Sequence, residues 1–510
     1  MCCNCVNRRE FLGVTAALAA GAALTAPFSA SAEASPEWAE DMWDPDRPFS
    51  IAGKPLRIQP VLMYRLPKRR EMTSWKSWGG IRTEAAVAEE AGRIANELEG
   101  LAARAGFAIE VLPVVSVTSM EDAAKTQSIS ADVSIIYPAT GSGEMLKAAI
   151  PERGAIIFVR HQSGPVYYWY EALSVQYLKT GKDAPESNKR VSVHDVVVDD
   201  TEEVLWRLRA LYGVKNFIGA RIVALGGPVG KYASTAPATS RDRFKLDIVE
   251  VSYSDLGKRI ERALADARTA KRAEAWTDRY LALPGTDLET DRQFVVNAFV
   301  LYGIFKDILR ECDARAFTIK DCMSTIIPMA KTTACLTLSL LNDEGFLAFC
   351  ESDFVVVPAG ILLGHISGKP VFMHNSTFPH NGLVTCAHCT APRRMSAERY
   401  EPVRVLTHYE SEYGAAPKVE IPKGQEVTFI NPEYDTGRWV GIKGAVESNP
   451  FLEICRSQQD IRIFGDWKKL LNEVRDSHWM MVYGDYLREI GYAAPRIGVV
   501  WESISDAQGT

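Results

Sequence analysis

The residues with the clearest capacity for chemistry lie between positions 335 and 395 of the sequence. Three of the eight histidines fall within fifteen residues of this segment: His374, His380 and His388. Glu351 and Asp353 lie two positions apart after an apolar run, so on a strand both carboxylates would face one side. Two acids on one face resist joint ionisation unless a cation or a donor lies between them, and imidazoles are ligands for Mn²⁺, Fe²⁺ or Zn²⁺. The segment therefore predicts a metal site; the alternative is surface histidines beside a buried, hydrogen-bonded acid.

Six stretches in the second half of the chain resemble the motifs of one enzyme superfamily. They are ACLTLSLLNDEG (334–345), CESD (350–353), GKPVFMHN (368–375), AHCTAP (387–392), CRSQ (455–458) and DSHWMMVYGDY (476–486). On these motifs the sequence resembles the L-fucose/L-arabinose isomerase superfamily over about residues 316–490. Over residues 50–300 the resemblance is one of architecture only, with two α/β domains in tandem before a β-rich one.

The resemblance implies a divalent cation, most often manganese, that holds two adjacent oxygens of an open-chain sugar while acids beside it move a proton between C1 and C2. Glu351 takes the place of the first metal-binding glutamate, which also serves as acid and base. His388 and His478 match the histidine ligands. The second acid of the superfamily is replaced by His374, or by Asn375 if the register slips by one residue. The implied site is one carboxylate with three imidazoles.

This replacement changes the chemistry that the resemblance implies. Two carboxylates neutralise a divalent cation, whereas one carboxylate leaves it with a net positive charge. The cation is then a stronger Lewis acid toward bound oxygens. A neutral imidazole cannot also serve as a proton shuttle while it binds metal. Proton transfer needs a group within hydrogen-bond reach, and Asp353 is the second candidate for this role beside Glu351.

Candidate substrate-binding residues lie apart from these motifs. Trp75 and Trp78 occupy a polar loop before the first helix, where tryptophans stack on sugar faces, bury at interfaces or pack in the core. The superfamily places such loops against a neighbouring subunit, which implies a homo-oligomer. His161 follows a strand, where open α/β sheets collect ligands. Arg456 is either a substrate-binding or a structural arginine, and Asn375 is the remaining candidate.

The cysteines favour buried thiols. Seven of the ten follow residue 32, an odd number spread through apolar segments, which is not typical of a disulfide framework. The stretch CAHC at 386–389 has the spacing of metal ligands, but no second CxxC motif closes a four-ligand zinc site. His408 has no companion nearby in the sequence. A zinc centre at this stretch is therefore not predicted.

Length and charge restrict the class of protein. A chain of 510 residues suggests two to four domains. The formal net charge is −6, with basic and acidic residues interspersed, so the sequence has no basic face for nucleic acid. No run of about 18 apolar residues occurs after residue 32, so no membrane span is predicted.

The order of apolar runs predicts the architecture. Short buried strands alternate with helices from residue 50, the first helix beginning after Thr83, and the pattern restarts at Arg221. Short strands with polar turns dominate from about residue 400. We expect an α/β protein of two tandem Rossmann-like or flavodoxin-like domains (50–220 and 221–395), the second carrying most of the site, and a β-rich C-terminal domain (396–505). The glycine-rich stretch 226–230 lacks the full GxGxxG pattern and is interrupted by Pro228, so no dinucleotide loop is predicted.

The N-terminus has the features of an export signal. Arg8 and Arg9 precede a weakly apolar, alanine-rich run that ends in Ala30-Ser31-Ala32. A twin arginine, a mild hydrophobic stretch and a small-residue cleavage site predict a twin-arginine signal peptide at 1–32 and a periplasmic location. The alternative is an amphipathic first helix.

Together these features predict a metal-dependent, sugar isomerase-like enzyme whose default reaction is aldose–ketose isomerisation. A first alternative is another metal-assisted sugar reaction, an epimerase or a lyase, which the replaced acid and the export signal favour. A second is an exported carbohydrate-binding protein that has lost catalysis. The expected partners are a small-molecule sugar and further copies of the chain.

The export signal can be tested directly. We expect Arg8→Lys with Arg9→Lys to leave a longer precursor in the cytoplasm, because the paired guanidinium groups are the recognised feature. Immunoblotting of periplasmic and cytoplasmic fractions measures this. Unchanged appearance of the shorter protein outside the cytoplasm would contradict the prediction.

Overall fold

The computed structural model describes residues 38–168, 190–433, 437–473 and 477–505. Contacts between residues group these described residues into one compact unit. The predicted signal peptide at 1–32 lies outside the described residues, so the export route and the periplasmic location stay predictions.

A parallel sheet forms the first part of this unit. Its strands are β1 (Leu56–Met63), β2 (Ile109–Val111), β3 (Val115–Val117), β4 (Val133–Pro138), β5 (Ala155–Val159) and β6 (Val196–Val198). The helices of this part are α1 (Glu84–Arg104), α2 (Met120–Thr126), α3 (Gly143–Ala149) and α4 (Thr201–Phe217). The strand order is β2-β1-β4-β5-β6, and β3 also pairs with β1. Helix α1 begins where the sequence predicts, because the Thr83 hydroxyl accepts a hydrogen bond from the Ala86 backbone N–H.

A second parallel sheet follows. Its strands are β7 (Arg221–Leu225), β8 (Asp247–Val251), β10 (Ala316–Ile319) and β11 (Leu347–Phe349), in the order β11-β10-β7-β8. The helices of this part are α5 (Ala236–Arg243), α6 (Tyr253–Ala265), α7 (Ala267–Leu281), α8 (Arg292–Glu311), α9 (Cys322–Ala330), α10 (Cys335–Asp343) and α11 (Val357–Ser367). Because the four strands are parallel, their carboxyl ends meet at one edge of the sheet, where ligands bind in open α/β folds.

An antiparallel sheet closes on itself in the last part of the chain. Its strands are β12 (Phe372–Ser376), β13 (Leu383–His388), β16 (Glu426–Pro432), β17 (Arg438–Ser448), β18 (Ser457–Phe464) and β19 (His478–Tyr483). The order is β16-β19-β12-β13-β18-β17, and β17 pairs back with β16. Strand β20 (Val500–Ser503) adds parallel to β17, and the helices here are α12 (Trp467–Glu473) and α13 (Leu487–Ala493). Closure leaves β12, β13 and β19 without a free edge.

A small sheet connects distant parts of the chain. It contains β9 (Thr286–Leu288), β14 (Val403–Leu406) and β15 (Ala416–Val419), with β9 parallel and β15 antiparallel to β14. Short 3₁₀ helices occupy Glu40–Met42, Val193–Asp195 and Ala494–Ile497.

The fold confirms part of the sequence expectation. The chain is a mixed α/β protein with parallel sheets and a closed antiparallel sheet, whereas tandem Rossmann-like domains stay a prediction. Strands β12 and β13 fall inside the segment predicted as the second α/β domain, yet they pair with the C-terminal strands in the antiparallel sheet. The antiparallel sheet therefore begins before residue 396. The domain boundaries themselves stay predictions.

Helices α9 and α10 are short, apolar and joined at a sharp bend. Within the described ranges, no single helix has the length and apolar composition to cross a membrane. Helices α9 and α10 are bent by 93° relative to each other, and only the two together have the length and apolar composition of a membrane span.

A buried ion pair joins α1 to the end of β5. The Arg160 guanidinium contacts Glu90 at 2.5 Å and Glu97 at 2.8 Å, and the Tyr167 hydroxyl donates to Glu90 at 2.6 Å. The side chains of Arg160 and Glu90 are 0% and 1% exposed. Because water reaches neither charge, removal of either side chain would leave the charge of the other buried with too few partners.

We expect Glu90→Ala to lower the free energy of unfolding by ~3–5 kcal/mol, because it leaves a buried guanidinium under-paired. Denaturant unfolding followed by far-UV circular dichroism measures the change. The matched control is Glu89→Ala, since Glu89 pairs with Arg93 at 3.0 Å but is 74% exposed; its cost should stay below ~1 kcal/mol. Equal effects of the two substitutions would contradict the role of burial.

Candidate metal centre

The predicted chemical residues meet where the second parallel sheet faces the antiparallel sheet. Glu351 follows the carboxyl end of β11, and Lys231 follows the loop after β7. His388 is the last residue of β13, and His478 is the first residue of β19. The site thus combines the carboxyl edge of one sheet with strand ends of another.

The turn after β11 directs the carboxylate. Glu351 and Ser352 have φ values of 62° and 49°, in the left-handed region that non-glycine residues rarely adopt. The Ser352 carbonyl accepts from the Val229 N–H at 3.1 Å, and the Val229 carbonyl accepts from the Phe354 N–H at 2.8 Å. These bonds hold the strained turn against the glycine-rich loop after β7.

The expectation that Glu351 and Asp353 share one face of a strand is therefore wrong. Strand β11 ends at Phe349, and both acids lie in the turn beyond it. The reason is the pair of left-handed residues, which the local sequence does not signal.

Three side chains converge in a way that fits a cation. The ligand atoms of Glu351, His388 and His478 all lie within 4.8 Å of one another. His478 Nε2 is 3.5 Å from one carboxylate oxygen of Glu351, and His388 Nε2 is 3.8 Å from the other. These distances lie at or beyond the limit of a hydrogen bond and near the ~3.0–3.5 Å between two ligands of one cation. The buried His388 Nε2 has no hydrogen-bond partner among the described residues.

A second layer of contacts orients both imidazoles. His478 Nδ1 is 2.7 Å from Asp353 Oδ2, and His388 Nδ1 is 2.9 Å from the Thr390 hydroxyl oxygen. Each Nδ1 is thereby engaged, which leaves each Nε2 directed at Glu351. A carboxylate behind a ligand histidine is the usual support of a protein metal site.

The charges around the three residues favour an ionised carboxylate at Glu351. Burial favours the neutral form of Glu351, but His388, His478 and the charge of Lys231 outweigh it and hold the pKa of Glu351 well below its usual range. Burial lowers the pKa of His388, so its imidazole is neutral, the form that binds metal. Burial opposes protonation of His478, yet Asp353 and Glu351 raise its pKa to about 9. A bound cation would take the place of that proton.

Lys231 is a site residue that the sequence reasoning missed. Its Nζ lies 3.4 Å from Glu351 Oε2 and 3.4 Å from His478 Nε2. Its backbone N–H donates to Asp353 Oδ1 at 3.0 Å. The available signal was the glycine-rich stretch 226–230, which follows a strand and leads directly to this lysine.

The strand register decides between His374 and Asn375. Asn375 pairs with His478 across β12 and β19, whereas His374 pairs with Trp479. Paired residues share a face, so Asn375 shares the face of His478. His374 packs its ring 5.4 Å from that of Phe429, and burial lowers its pKa to about 3. The structure therefore does not bring His374 into the ligand group.

Both oxygens of Asp353 have hydrogen-bond partners. One oxygen contacts His478 Nδ1, and the other accepts from the backbone N–H groups of Lys231 and Val355. Asp353 therefore orients His478, and its role as a catalytic acid or base stays a prediction.

The remaining predicted residues lie in other surroundings. Trp78 is 69% exposed and packs edge-on against Tyr168, and Trp75 is half-buried in the same loop. His161 lies just after β5, and its backbone N–H donates to the carboxylate of Asp199. The roles of these three in substrate binding stay predictions.

Arg456 contacts Thr407 in the described chain. Its guanidinium donates to the Thr407 carbonyl at 2.7 Å and to the Thr407 hydroxyl at 3.2 Å. Of the two roles that the sequence left open for Arg456, these contacts favour the structural one.

No protein-family model matches this chain, and no curated protein matches it either. The resemblance to the L-fucose/L-arabinose isomerase superfamily therefore stays a prediction. The geometry of Glu351, His388 and His478 is the feature of the chain that bears on a function.

We expect Asp353→Asn to weaken Mn²⁺ binding by ~10–100-fold, because the amide lacks the charge that fixes the ring of His478. Isothermal titration calorimetry with Mn²⁺ measures the affinity. His380→Ala is the matched control, since His380 belongs to the same histidine-rich segment but is exposed. Unchanged affinity in a folded Asp353→Asn protein would show that Asp353 does not support a metal ligand.

Proposed function

We propose that this protein is a metal-dependent, sugar isomerase-like enzyme that transfers a proton next to a carbonyl group. One observation carries the proposal. Two buried imidazoles present Nε2 to the two oxygens of one carboxylate, and each imidazole is held from behind by its own partner. Such a preoriented set of ligands is costly to build without a cation to bind.

The ligand set fits a borderline divalent cation. Glu351, His388 and His478 supply one carboxylate and two imidazoles, which Mn²⁺, Fe²⁺ and Zn²⁺ all accept, and the resemblance favours Mn²⁺. When bound, the cation would act as a Lewis acid toward a hydroxy-carbonyl substrate. Three protein ligands leave coordination positions open for the adjacent oxygens of a sugar.

Glu351 is the group proposed to move the proton. Its carboxylate is ionised, and its side chain keeps 22% of its surface exposed, so substrate can approach it. In aldose–ketose isomerisation Glu351 would accept the proton from C2 and return it to C1, while the hydroxyl proton moves from O2 to O1. Lys231 Nζ, 3.4 Å from Glu351, is positioned to donate a hydrogen bond to a substrate oxygen during this transfer.

A lyase reaction is the second candidate, and a specific observation favours it. Asp353 contacts His478, and Asn375 pairs with His478 on the strand where the resemblance implies a second acid. The site thus offers one carboxylate base, which is sufficient for cleavage of a carbon–carbon bond beside a metal-polarised carbonyl. A carbohydrate-binding protein without catalysis is the remaining alternative.

Deuterium exchange tests the proposal. Protein loaded with Mn²⁺ and incubated with a panel of aldoses in deuterated water should form ketoses and incorporate deuterium at the carbon next to the carbonyl, as observed by NMR. Removal of metal with a chelator should abolish both, and added Mn²⁺ should restore them. Cleavage into smaller fragments would assign the lyase reaction, and a fully metal-loaded protein without exchange or turnover would indicate a binding protein.

The role of Glu351 has its own prediction. We expect Glu351→Gln to fold, to retain some metal and to lose at least ~100-fold in turnover, because the amide cannot accept a proton. Steady-state kinetics at saturating Mn²⁺ measures the loss, and Glu398→Gln, at an exposed position, is the control. Near-normal turnover by Glu351→Gln at full metal load would assign the base to another residue.

A further inference from the structure

A second cluster of potential ligands lies beside the first, and its chemistry differs. The side chains of Cys389, His408 and Cys455 are buried, and their ligand atoms lie within 4.8 Å of one another. They come from three segments: the residue after β13, the loop after β14 and the loop before β18. His408 has no histidine or cysteine near it in the sequence, but the fold places it beside Cys389 and Cys455.

The stretch CAHC at 386–389 explains why the sequence did not reveal this cluster. Cys386 is fully buried within β13, and the pKa of its thiol is raised by burial. His388 joins Glu351, whereas Cys389 joins His408 and Cys455. Two adjacent residues thus serve two different clusters, so no single spacing motif describes either.

We propose that Cys389, His408 and Cys455 form a second metal site that binds Zn²⁺ through two thiolates and one imidazole. Thiolates select Zn²⁺ over hard cations, whereas the first centre has no sulfur ligand. A tetrahedral zinc ion with Zn–S bonds of ~2.3 Å holds its sulfur ligands about 3.8 Å apart, which is compatible with ligand atoms that lie within 4.8 Å of one another. Binding releases the two thiol protons to solvent.

Hydrogen bonds around the cluster support a metal-bound thiolate. The backbone N–H of Arg456 donates to Cys389 Sγ at 3.4 Å, and such contacts to a ligand atom orient it toward a metal. The Arg456 guanidinium donates to the carbonyl and the hydroxyl of Thr407, the residue before His408. The segment that carries Cys455 is thereby tied to the loop that carries His408.

Metal analysis combined with cobalt substitution tests this site. The purified, reduced wild-type protein should contain one tightly bound zinc per chain, and its Co²⁺ form should show thiolate-to-cobalt charge transfer and visible bands of a tetrahedral ion. Cys455→Ser should lose both signals. Cys312→Ser, a half-buried cysteine outside the cluster, should keep them. His408→Cys should keep cobalt binding with a shifted spectrum, which tests the site even if Cys455→Ser does not fold.

The first centre provides the complementary arm. Glu351→Gln with His478→Gln should leave the charge-transfer band unchanged, because neither residue belongs to the thiol cluster. Failure of the proposed isomerase function is thus distinguishable from failure of this zinc site. A reduced, folded wild-type protein without the charge-transfer band, or a Cys389–Cys455 disulfide found by mass spectrometry in the native protein, would overturn the proposal.

Discussion

The buried carboxylate of Asp353 connects the three parts of the chain that make the site. One oxygen fixes the ring of His478 at the start of β19, and the other accepts backbone N–H groups from the glycine-rich loop and from its own turn. Loss of any one of these partners would leave a buried charge undercompensated. The position of Lys231, the strained turn at Glu351 and the orientation of His478 thus depend on one side chain.

The ligand group is the part of the site that the sequence predicted best. Glu351, His388 and His478 were identified from motifs up to 127 positions apart, and the fold brings them together. The choice between His374 and Asn375 could not be made from the sequence, because side chains alternate along a strand and a shift of one residue exchanges the two faces. Only the pairing of Asn375 with His478 decides it.

Other features depend on contacts that no local pattern encodes. The left-handed turn at Glu351 and Ser352 is stabilised by a bridge to Val229, more than 100 residues away. Alternation of strands and helices predicts the parallel sheets. The local sequences of β12 and β13, however, are compatible with both the second parallel sheet and the antiparallel sheet. These two strands pair with each other, but their other antiparallel partners, β19 and β18, lie far along the chain. Membership of the closed sheet therefore depends on long-range pairing as well as on residue preference.

The closed sheet also restricts the order in which parts of the protein can fold. Strand β19 lies between β16 and β12 and carries His478 at its first position, so the ring of strands stays open until residues 478–483 have emerged from the ribosome. Pairing between segments so far apart is slow, because the entropy of closing the long loop is lost before the contacts form. The ligand group is therefore completed only after synthesis of nearly the whole chain. The complete ligand group can therefore bind a cation only after these last strands have folded, and a chain that stops before residue 478 loses sheet closure and His478 together.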